Sequence, residues 1–480
     1  MLLTCDPRIA RDIFASSNEF KGASRTLQIY NIYGPTLAAC GEEDWKRYRK
    51  VLTPYFSTAT NAVILRETLT QTEALLNKWS TTQVMTDVKN QLAARLTIGV
   101  IAQAFFGKSI AMSEYDSKVR KGSGNTSFGE AILNVNEALA AIVPLRAVPS
   151  WFRAVLPKTI TDLADVPYNE WKRHMVDLHS AVSSKLRDPV EQRGEFKTLL
   201  ENLISAGMTE DDIDSKVPPL TQDEVFGNIF FIILAGYDTA STTISFAILL
   251  LALHQKHQRS LQEQIDAILG DSRTASSWDL RLNFQTLLDG FVGAVIKETL
   301  RLYCPVEWLP KIAMTDTSVT DSNGAWHFVA KGTTCCIDFA AIFRHPKHWA
   351  SPSEQNRNGR EELTPPLQFD PSRWIRKDDS GGNIGAEAYF PFGGGQRICP
   401  GRKFAEILMA AVLGRIFSEF SVEFDIGEQA SNAAAEKGLG ESWAAEQVRG
   451  MAIASLYEGV GFHHGIYPEQ HPPLKFVRRK

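Results

Sequence analysis

Apolar residues recur at helical spacing through most of the first 260 residues, which predicts a largely helical chain. Residues 1–20 are predicted to form a short helix, and residues 21–40 are predicted to be irregular. Helical spacing returns at residues 280–303 and again after residue 401. Most of the secondary structure is therefore expected to be α-helix.

Alternating or β-branched runs predict a smaller number of short strands. These runs lie at residues 304–340, 418–425 and 451–478. Hairpin-type turns are expected at Asn323-Gly324 and at Glu458-Gly459. The prediction is a mainly α protein with a small β region, forming a single domain over residues 1–480.

One apolar stretch is long enough to be mistaken for a membrane span. It follows Thr221 and Glu224, which have the spacing of a helix capping box, and it continues to about Leu253. At 1.5 Å per residue such a helix measures roughly 45–50 Å. Its centre carries Asp238, which is costly at the middle of a bilayer. We therefore predict a buried helix that crosses the core of a large soluble domain.

Charge and cysteine content narrow the function classes. The formal net charge is −4 and there is no long basic run, so nucleic acid is not expected as a partner. The six cysteines show neither Cys-x-x-Cys spacing nor a disulfide framework, which indicates a reducing compartment. Nothing in the sequence suggests a repeat, and a monomer is expected.

The most specific pattern is a glycine-rich loop that contains one cysteine, with Phe392, Gly395, Arg397, Cys399 and Gly401. A Pro-Gly pair and an apolar-periodic helix follow, so Cys399 is expected near a helix amino end, where thiolate is favoured over thiol. The two glycines would let the backbone bend under a flat ligand, and Arg397 could pair with a carboxylate of that ligand. Taken alone, such a cysteine is more often a small buried apolar residue. A phosphate-binding loop fits poorly, because no Gly-Lys-Ser/Thr follows.

The centre of the long helix is a second candidate. Ala235 and Gly236 are small enough for a planar ligand to approach, and Thr239 lies on the same face as Gly236. The Thr239 hydroxyl could bond a carbonyl one turn back and loosen the helix locally. Asp238 is an ionisable group in an apolar helix, which suggests proton handling, although packing is the commoner reason for such residues.

These motifs together resemble the cytochrome P-450 family, the haem-thiolate monooxygenases, in its eukaryotic microsomal type, and the loops suggest a fungal member. The resemblance implies the cytochrome P-450 fold, with a long central helix over haem b and with Cys399 as the iron ligand. It assigns Asp238 and Thr239 to oxygen activation. Trp45 and Arg49 on one helix face, and more weakly Lys311, would bind haem propionates.

A structural network is also implied. Glu298 and Arg301 lie at i and i+3 among apolar neighbours, where an ion pair is costly unless it is fully hydrogen-bonded. The resemblance adds Arg373 as the third member of the network, on the cysteine side of the haem pocket.

The implied activity inserts one oxygen atom of O2 into an apolar organic substrate, within secondary metabolism. Electrons would come from NADPH through a separate reductase, because the chain shows no flavin or nicotinamide fingerprint. Basic residues that could dock this reductase are Lys46, Arg47, Lys50, Arg402 and Lys403. Candidate pocket walls are Phe231 or Ile232, with Ala235, Val306, Trp308 and the carboxy-terminal turn near Tyr457, although core packing explains each of these residues equally well. Alternatives are a haem-thiolate isomerase or dehydratase, which the acid–alcohol pair argues against, and an inactive haem-binding remnant.

The amino end departs from the family pattern, because Trp45 comes early. We expect the membrane anchor and the first helix to be missing, together with the first strands, which would leave the first sheet incomplete. Family members of this type sit on the endoplasmic reticulum membrane and face the cytosol. Without that anchor, the chain as written is expected to be soluble and cytoplasmic, or its location is unknown.

Overall fold

The computed structural model describes most of the chain. The described residues are 1–23, 27–79, 82–110, 126–187, 198–208, 218–270, 278, 283–349, 365–375, 385–458, 460–462, 466–468 and 470–479. They form two compact units. The first contains Met1–Gly22, Thr68–Ala94 and Asp238–Lys480, and the second contains Ala23–Glu67 and Arg95–Tyr237.

Helices dominate both units, as predicted. In chain order they are α1 (Pro7–Ala15), α2 (Glu42–Leu52), α3 (Thr58–Leu76), α4 (Ala94–Phe106), α5 (Phe128–Glu137), α6 (Leu139–Ala147), α7 (Ser150–Arg153), α8 (Lys158–Arg187), α9 (Leu199–Met208), α10 (Gln222–Leu253), α11 (Gln255–Leu269), α12 (Asn283–Asp289), α13 (Phe291–Leu302), α14 (Phe339–Arg344), α15 (Pro346–Trp349), α16 (Arg402–Glu419), α17 (Gly427–Glu436) and α18 (Glu441–Tyr457). A five-residue π-helical turn, Lys89–Ala93, leads directly into α4.

The strands are short. They are β1 (Leu2–Thr4), β2 (Phe20–Gly22), β3 (Thr82–Met85), β4 (Trp308–Ala313), β5 (Thr317–Thr320), β6 (Trp326–Val329), β7 (Thr334–Asp338), β8 (Phe420–Phe424), β9 (Val460–Phe462), β10 (Ile466–Pro468) and β11 (Leu474–Arg478). Sheets have the strand orders β1-β7-β4-β2 and β3-β11-β8, and β5–β6 and β9–β10 are two-stranded. All pairings are antiparallel except that of β1 with β7.

The first 22 residues build more than the predicted helix. Asp6 caps α1 by accepting from the Arg8 and Ile9 N–H groups at 2.8 and 3.1 Å, and Pro7 takes the first helical position. The prediction of a helix over residues 1–20 was therefore too long, because β1 precedes α1 and β2 follows it. Both strands belong to the four-stranded sheet, in which β1 forms one edge and β2 the other.

The core of the first unit lies between α1, this sheet and α14. The Phe14, Phe339 and Phe390 rings meet in pairs, with centroids 5.5 to 6.5 Å apart. In the second unit, α5 packs on α8 through the Phe128 and Trp171 rings, whose centroids are 5.1 Å apart. Each unit therefore has an aromatic core of its own.

Helix α10 begins as predicted. The Thr221 hydroxyl accepts from the Glu224 N–H at 3.3 Å, and the Glu224 carboxylate accepts from the Thr221 N–H at 2.8 Å. Among the described residues, α10 is the one single helix long and apolar enough to cross a membrane, and the bent pair α5–α6 passes the same test if counted as one span. Since 72% of the α10 window is buried, the predicted core helix is the better description.

In the carboxy-terminal third, one segment was predicted with the wrong type of secondary structure. Residues 451–457 were predicted as strand, but they complete α18, and the strands begin only at Val460. The hairpin turn at Asn323-Gly324 is confirmed between β5 and β6. Gly459 of the second predicted turn lies outside the described residues.

Candidate functional site

The cysteine loop, residues 392–401, is bent by its glycines. Gly393 and Gly395 have φ angles of +73° and +67°, which L side chains rarely adopt. The Cys399 N–H donates to the Phe392 carbonyl at 3.0 Å and closes the loop. Gly401 caps α16, so the helix starts at Arg402, slightly later than the sequence suggested. The Cys399 thiol is exposed.

Close packing on α1 explains two of the glycines. A Cβ on Gly395 would overlap the Phe14 carbonyl, and one on Gly394 would lie 2.8 Å from the Phe14 ring. At Gly401 a Cβ would make only an ordinary contact, 3.9 Å from Cys399 Sγ. The described residues therefore require glycine at Gly395 but place no such demand on Gly401. Phe392, the first residue of the loop, lies under the Arg402 guanidinium, 5.7 Å from its ring centroid.

Two cations converge near the cysteine loop. Lys311 lies on β4 opposite Gly22 of β2, and a Cβ on Gly22 would lie 3.4 Å from Arg397 Nη1. Burial, together with the positive charge of Arg397, lowers the pKa of Lys311 to about 8. A negatively charged group beside them would relieve this repulsion. An exposed thiol and two converging cations fit haem, which offers iron and propionates.

Helix α10 carries a stripe of partly exposed positions in an otherwise buried centre. The stripe consists of Phe231, Ile232, Ala235, Gly236 and Thr239. Their spacing places them on one side of the helix. This is the side on which the sequence placed Ala235, Gly236 and Thr239.

Gly236 also packs closely on α4. A Cβ at this position would lie 3.1 Å from the Ile101 side chain, and the predicted approach of a planar ligand at Gly236 stays a prediction. Helix α10 runs unbroken from Gln222 to Leu253, and the local loosening expected from the Thr239 hydroxyl stays a prediction. Nearby, the Ser241 and Thr243 hydroxyls donate to the carbonyls of Asp238 and Thr239, at 3.1 and 2.9 Å.

Asp238 makes an ion pair that the sequence analysis missed. Its Oδ1 lies 2.9 Å from the Nζ of Lys89, and the side chains of Asp238 and Lys89 are 12% and 16% exposed. Lys89 is the first residue of the π-helical turn before α4. Nothing in the local sequence around either residue signals this contact.

The structure brings Glu298, Arg301 and Arg373 together. Arg301 donates to both Glu298 oxygens at 2.8 Å, and Arg373 Nε donates to Oε1 at 3.0 Å. The Trp374 indole and the Asp370 N–H complete the set, at 2.9 and 3.1 Å. Burial alone would raise the pKa of Glu298, but Arg301 and the other donors hold it below its usual value.

On α2, the residues predicted to bind haem propionates lie on a different side from Arg47, which was predicted to dock the reductase. Trp45 and Arg49 are partly exposed on one side. Arg47 points elsewhere: its guanidinium pairs with Glu224 and Asp44 and donates to the Pro219 carbonyl at 3.1 Å. Burial disfavours its charge, but the two carboxylates raise the pKa of Arg47 above its ordinary value.

These contacts weaken the prediction that Arg47 docks a partner, because its side chain is only 12% exposed. Lys46 is 59% exposed and Lys50 is also exposed. On α16, Arg402 and Lys403 are 56% and 47% exposed, and both pair with Glu406.

The candidate pocket walls are placed as follows. Val306 and Trp308 are 43% and 61% exposed, before and at the start of β4. Phe231 contacts Tyr30, with ring centroids 5.8 Å apart. Tyr457 ends α18, and burial raises the pKa of its hydroxyl to about 12.

Comparison with known proteins agrees with this chemistry. The family described as "Cytochrome P450" matches residues 1–440. Cytochrome P450 monooxygenase 124 of Postia placenta is 27% identical over 99% of this chain and 83% of its own length. Cytochrome P450 3A6 of Oryctolagus cuniculus is 27% identical over 79% of this chain and 68% of its own length.

Solved structures agree on the fold. The crystal structure of the cytochrome P450DA heme domain superposes with a TM-score of 0.70, covering 100% of this chain and 87% of that one at 18% identity. The chain therefore belongs to the cytochrome P450 family, haem b enzymes that insert one atom of O2 into an organic substrate using NADPH-derived electrons from a reductase.

Proposed function

We propose that Cys399 supplies the thiolate that ligates the haem iron in this monooxygenase. The observation that carries the proposal is an exposed thiol held by a glycine-bent loop just before α16. Bound to the haem iron, the Cys399 thiolate would donate electron density that favours O–O cleavage, which is the chemistry that haem would supply. The remaining residues of the site act by binding, orienting and moving protons.

Four residues are assigned to the haem carboxylates: Trp45, Arg49, Lys311 and Arg397. The support is strongest for Lys311 and Arg397, because burial and then the charge of Arg397 lower the pKa of Lys311, and a neighbouring anion would offset both effects. Phe392, Gly395 and Gly401 are assigned to shaping the loop beside the cysteine, and Ala235 and Gly236 would lie against the haem ring. Glu298, Arg301 and Arg373 hold the backbone around residues 366–373 in place.

Asp238 and Thr239 are assigned to proton handling. A carboxyl and a hydroxyl on consecutive residues can pass a proton from solvent toward the substrate side of a helix. Partial exposure of Thr239 supports this role. We also assign Phe231, Ile232, Val306, Trp308 and Tyr457 to contact with an apolar substrate, and we infer that residues 1–480 act as one monooxygenase domain.

The reductase is assigned to exposed cations, Lys46 and Lys50 on α2 and Arg402 and Lys403 on α16. Charge complementarity with an acidic partner would speed their association. Arg47 is not assigned to the reductase, because its guanidinium pairs with Glu224. Such a reductase would meet the protein at the cytosolic side of the endoplasmic reticulum.

Replacing Cys399 with Ala tests the central assignment. The purified wild-type protein is expected to show the red-shifted Soret band of a thiolate-ligated, reduced carbon monoxide complex, and C399A is expected to lose it. Cys5→Ser is the matched control, because Cys5 is also an exposed cysteine. If C399A keeps the band, or if the wild-type protein shows the band of imidazole-ligated or free haem, the assignment is wrong.

A further inference from the structure

Lys89 stands out among the charged residues because it pairs with the one acid assigned to proton handling. The Nζ of Lys89 lies 2.9 Å from Asp238 Oδ1, and both side chains are more than four-fifths buried. In such surroundings the attraction between the two charges is screened far less than on an open surface. The pair therefore constrains the orientation of the Asp238 carboxylate.

The two oxygens of Asp238 are used differently. Oδ1 is held by Lys89, whereas Oδ2 makes no hydrogen bond to protein among the residues described here. Nor is Oδ2 among the fully buried side-chain atoms that lack partners. One oxygen is thus anchored and the other stays accessible, which is the arrangement that a carboxylate needs in order to accept and release a proton.

The backbone that carries Lys89 is unusual and firmly held. Lys89–Ala93 is a π-helical turn, in which the Ala94 N–H donates to the Lys89 carbonyl five residues back. Such turns are rare and occur frequently at functional sites. The turn is anchored by fully buried Val88 and Leu92, and Asp87 accepts from the Asn90 N–H at 2.9 Å. The backbone at Lys89 is therefore held in a fixed position.

We propose that Lys89 is a positioning residue for oxygen activation: it fixes Asp238 through Oδ1 so that Oδ2 can pass protons. This inference rests on the proton-handling role proposed above for Asp238 and Thr239. It adds a residue from a distant part of the chain, and it gives the π-helical turn a role in the reaction.

The test compares Lys89→Met and Lys89→Arg with Asp238→Asn. A misplaced catalytic group loses much of its effect, so K89M is expected to form about tenfold less product per NADPH consumed, as D238N does. K89R keeps the charge and is expected to recover more than half of the lost yield. Lys185→Met is the matched control, because Lys185 also pairs with a buried acid, Glu201, at 2.6 Å.

A second readout does not depend on activity. In the resting protein, hydrogen exchange of the amides at residues 236–242 is expected to rise severalfold in K89M and to stay unchanged in K89R and K185M. The band of the reduced carbon monoxide complex is expected to persist in all of these variants, because Lys89 is not assigned to haem binding.

Three results would overturn the proposal. The first is a K89M yield of product per NADPH equal to that of wild type, and the second is a K89R yield no better than that of K89M. The third is loss of the thiolate-ligated band in both K89M and the milder K89Q, which would show that Lys89 has a structural role. Failure of the underlying proposal looks different, because D238N itself would then keep full product per NADPH. A lowered yield in D238N with a normal yield in K89M would reject only the role of Lys89.

Discussion

Two acids on buried helices, Glu298 and Asp238, are both paired with basic residues but are bonded to different extents. Glu298 is fully buried and accepts from Arg301, Arg373, Trp374 and the Asp370 N–H. Among the described residues, Asp238 is bonded through Oδ1 alone, and its side chain is 12% exposed.

The difference separates a structural acid from one able to react. Protonating Glu298 would break several charge-assisted hydrogen bonds at once, so this carboxylate is held in one state. In the role proposed for Asp238, Lys89 holds Oδ1, and protons pass through Oδ2, to which no described residue is hydrogen-bonded. The degree of hydrogen bonding, rather than burial alone, therefore distinguishes the two roles.

The largest effect is expected from Glu298→Gln. Removing one partner from a buried network leaves uncompensated charge on Arg301 and Arg373, which typically costs about 3–5 kcal/mol. Urea unfolding followed by fluorescence measures the change in free energy of unfolding. Glu423→Gln is the control, since its pair with Lys475 is exposed and such pairs contribute about 1 kcal/mol or less. Equal losses in the two variants would contradict a structural role for the network.

Local patterns predicted a substantial part of the site. The cysteine loop, the capping box of Thr221 and Glu224, and the Glu298–Arg301 pair are all visible within a few residues of sequence. Their geometry follows from helix periodicity and glycine chemistry, which act over short distances.

Contacts between distant segments could not be predicted in this way. The pair of Lys89 with Asp238 and the packing of Gly236 on Ile101 join residues far apart in the chain. The sequence placed Arg47 among the basic residues that could dock the reductase, but its guanidinium donates to Glu224, which lies 177 residues further along the chain. The strands β1 and β2 are three residues each, too short for alternation to be recognised.

Replacing Thr239 with Ala tests the proposed proton-handling pair, Asp238 and Thr239, and is expected to have a smaller effect than Glu298→Gln. The protein is expected to fold and to keep its thiolate-ligated band, while product per NADPH falls roughly tenfold because the relay loses its hydroxyl. Ser245→Ala is the matched control: Ser245 is a buried hydroxyl on the same helix, bonded to the Ser241 carbonyl at 2.6 Å. The proton-handling role is rejected if T239A keeps full product yield per electron.

The smallest effect is expected at His254, whose side chain is partly buried. Its Nε2 is buried without a hydrogen-bond partner among the described residues, and its ring lies 5.5 Å from that of Phe369. Burial, with the charges of His257 and Arg449, lowers the pKa of His254 to about 4 from an ordinary value of 6.5. The folded protein therefore resists protonation that the unfolded chain accepts.

The sign of the pH dependence follows from this shift. Above pH 6.5 neither state binds the proton and there is no penalty; between pH 6.5 and about 4 only the unfolded chain binds it, so stability falls as the pH falls. At pH 5.5 the loss due to His254 amounts to about 1 kcal/mol. Urea unfolding of wild type and His254→Asn at pH 8 and pH 5.5 separates packing from titration, because at pH 8 only packing differs. H254N is expected to lose less stability between the two pH values, and an equal loss in both proteins would show that His254 is protonated in the folded state.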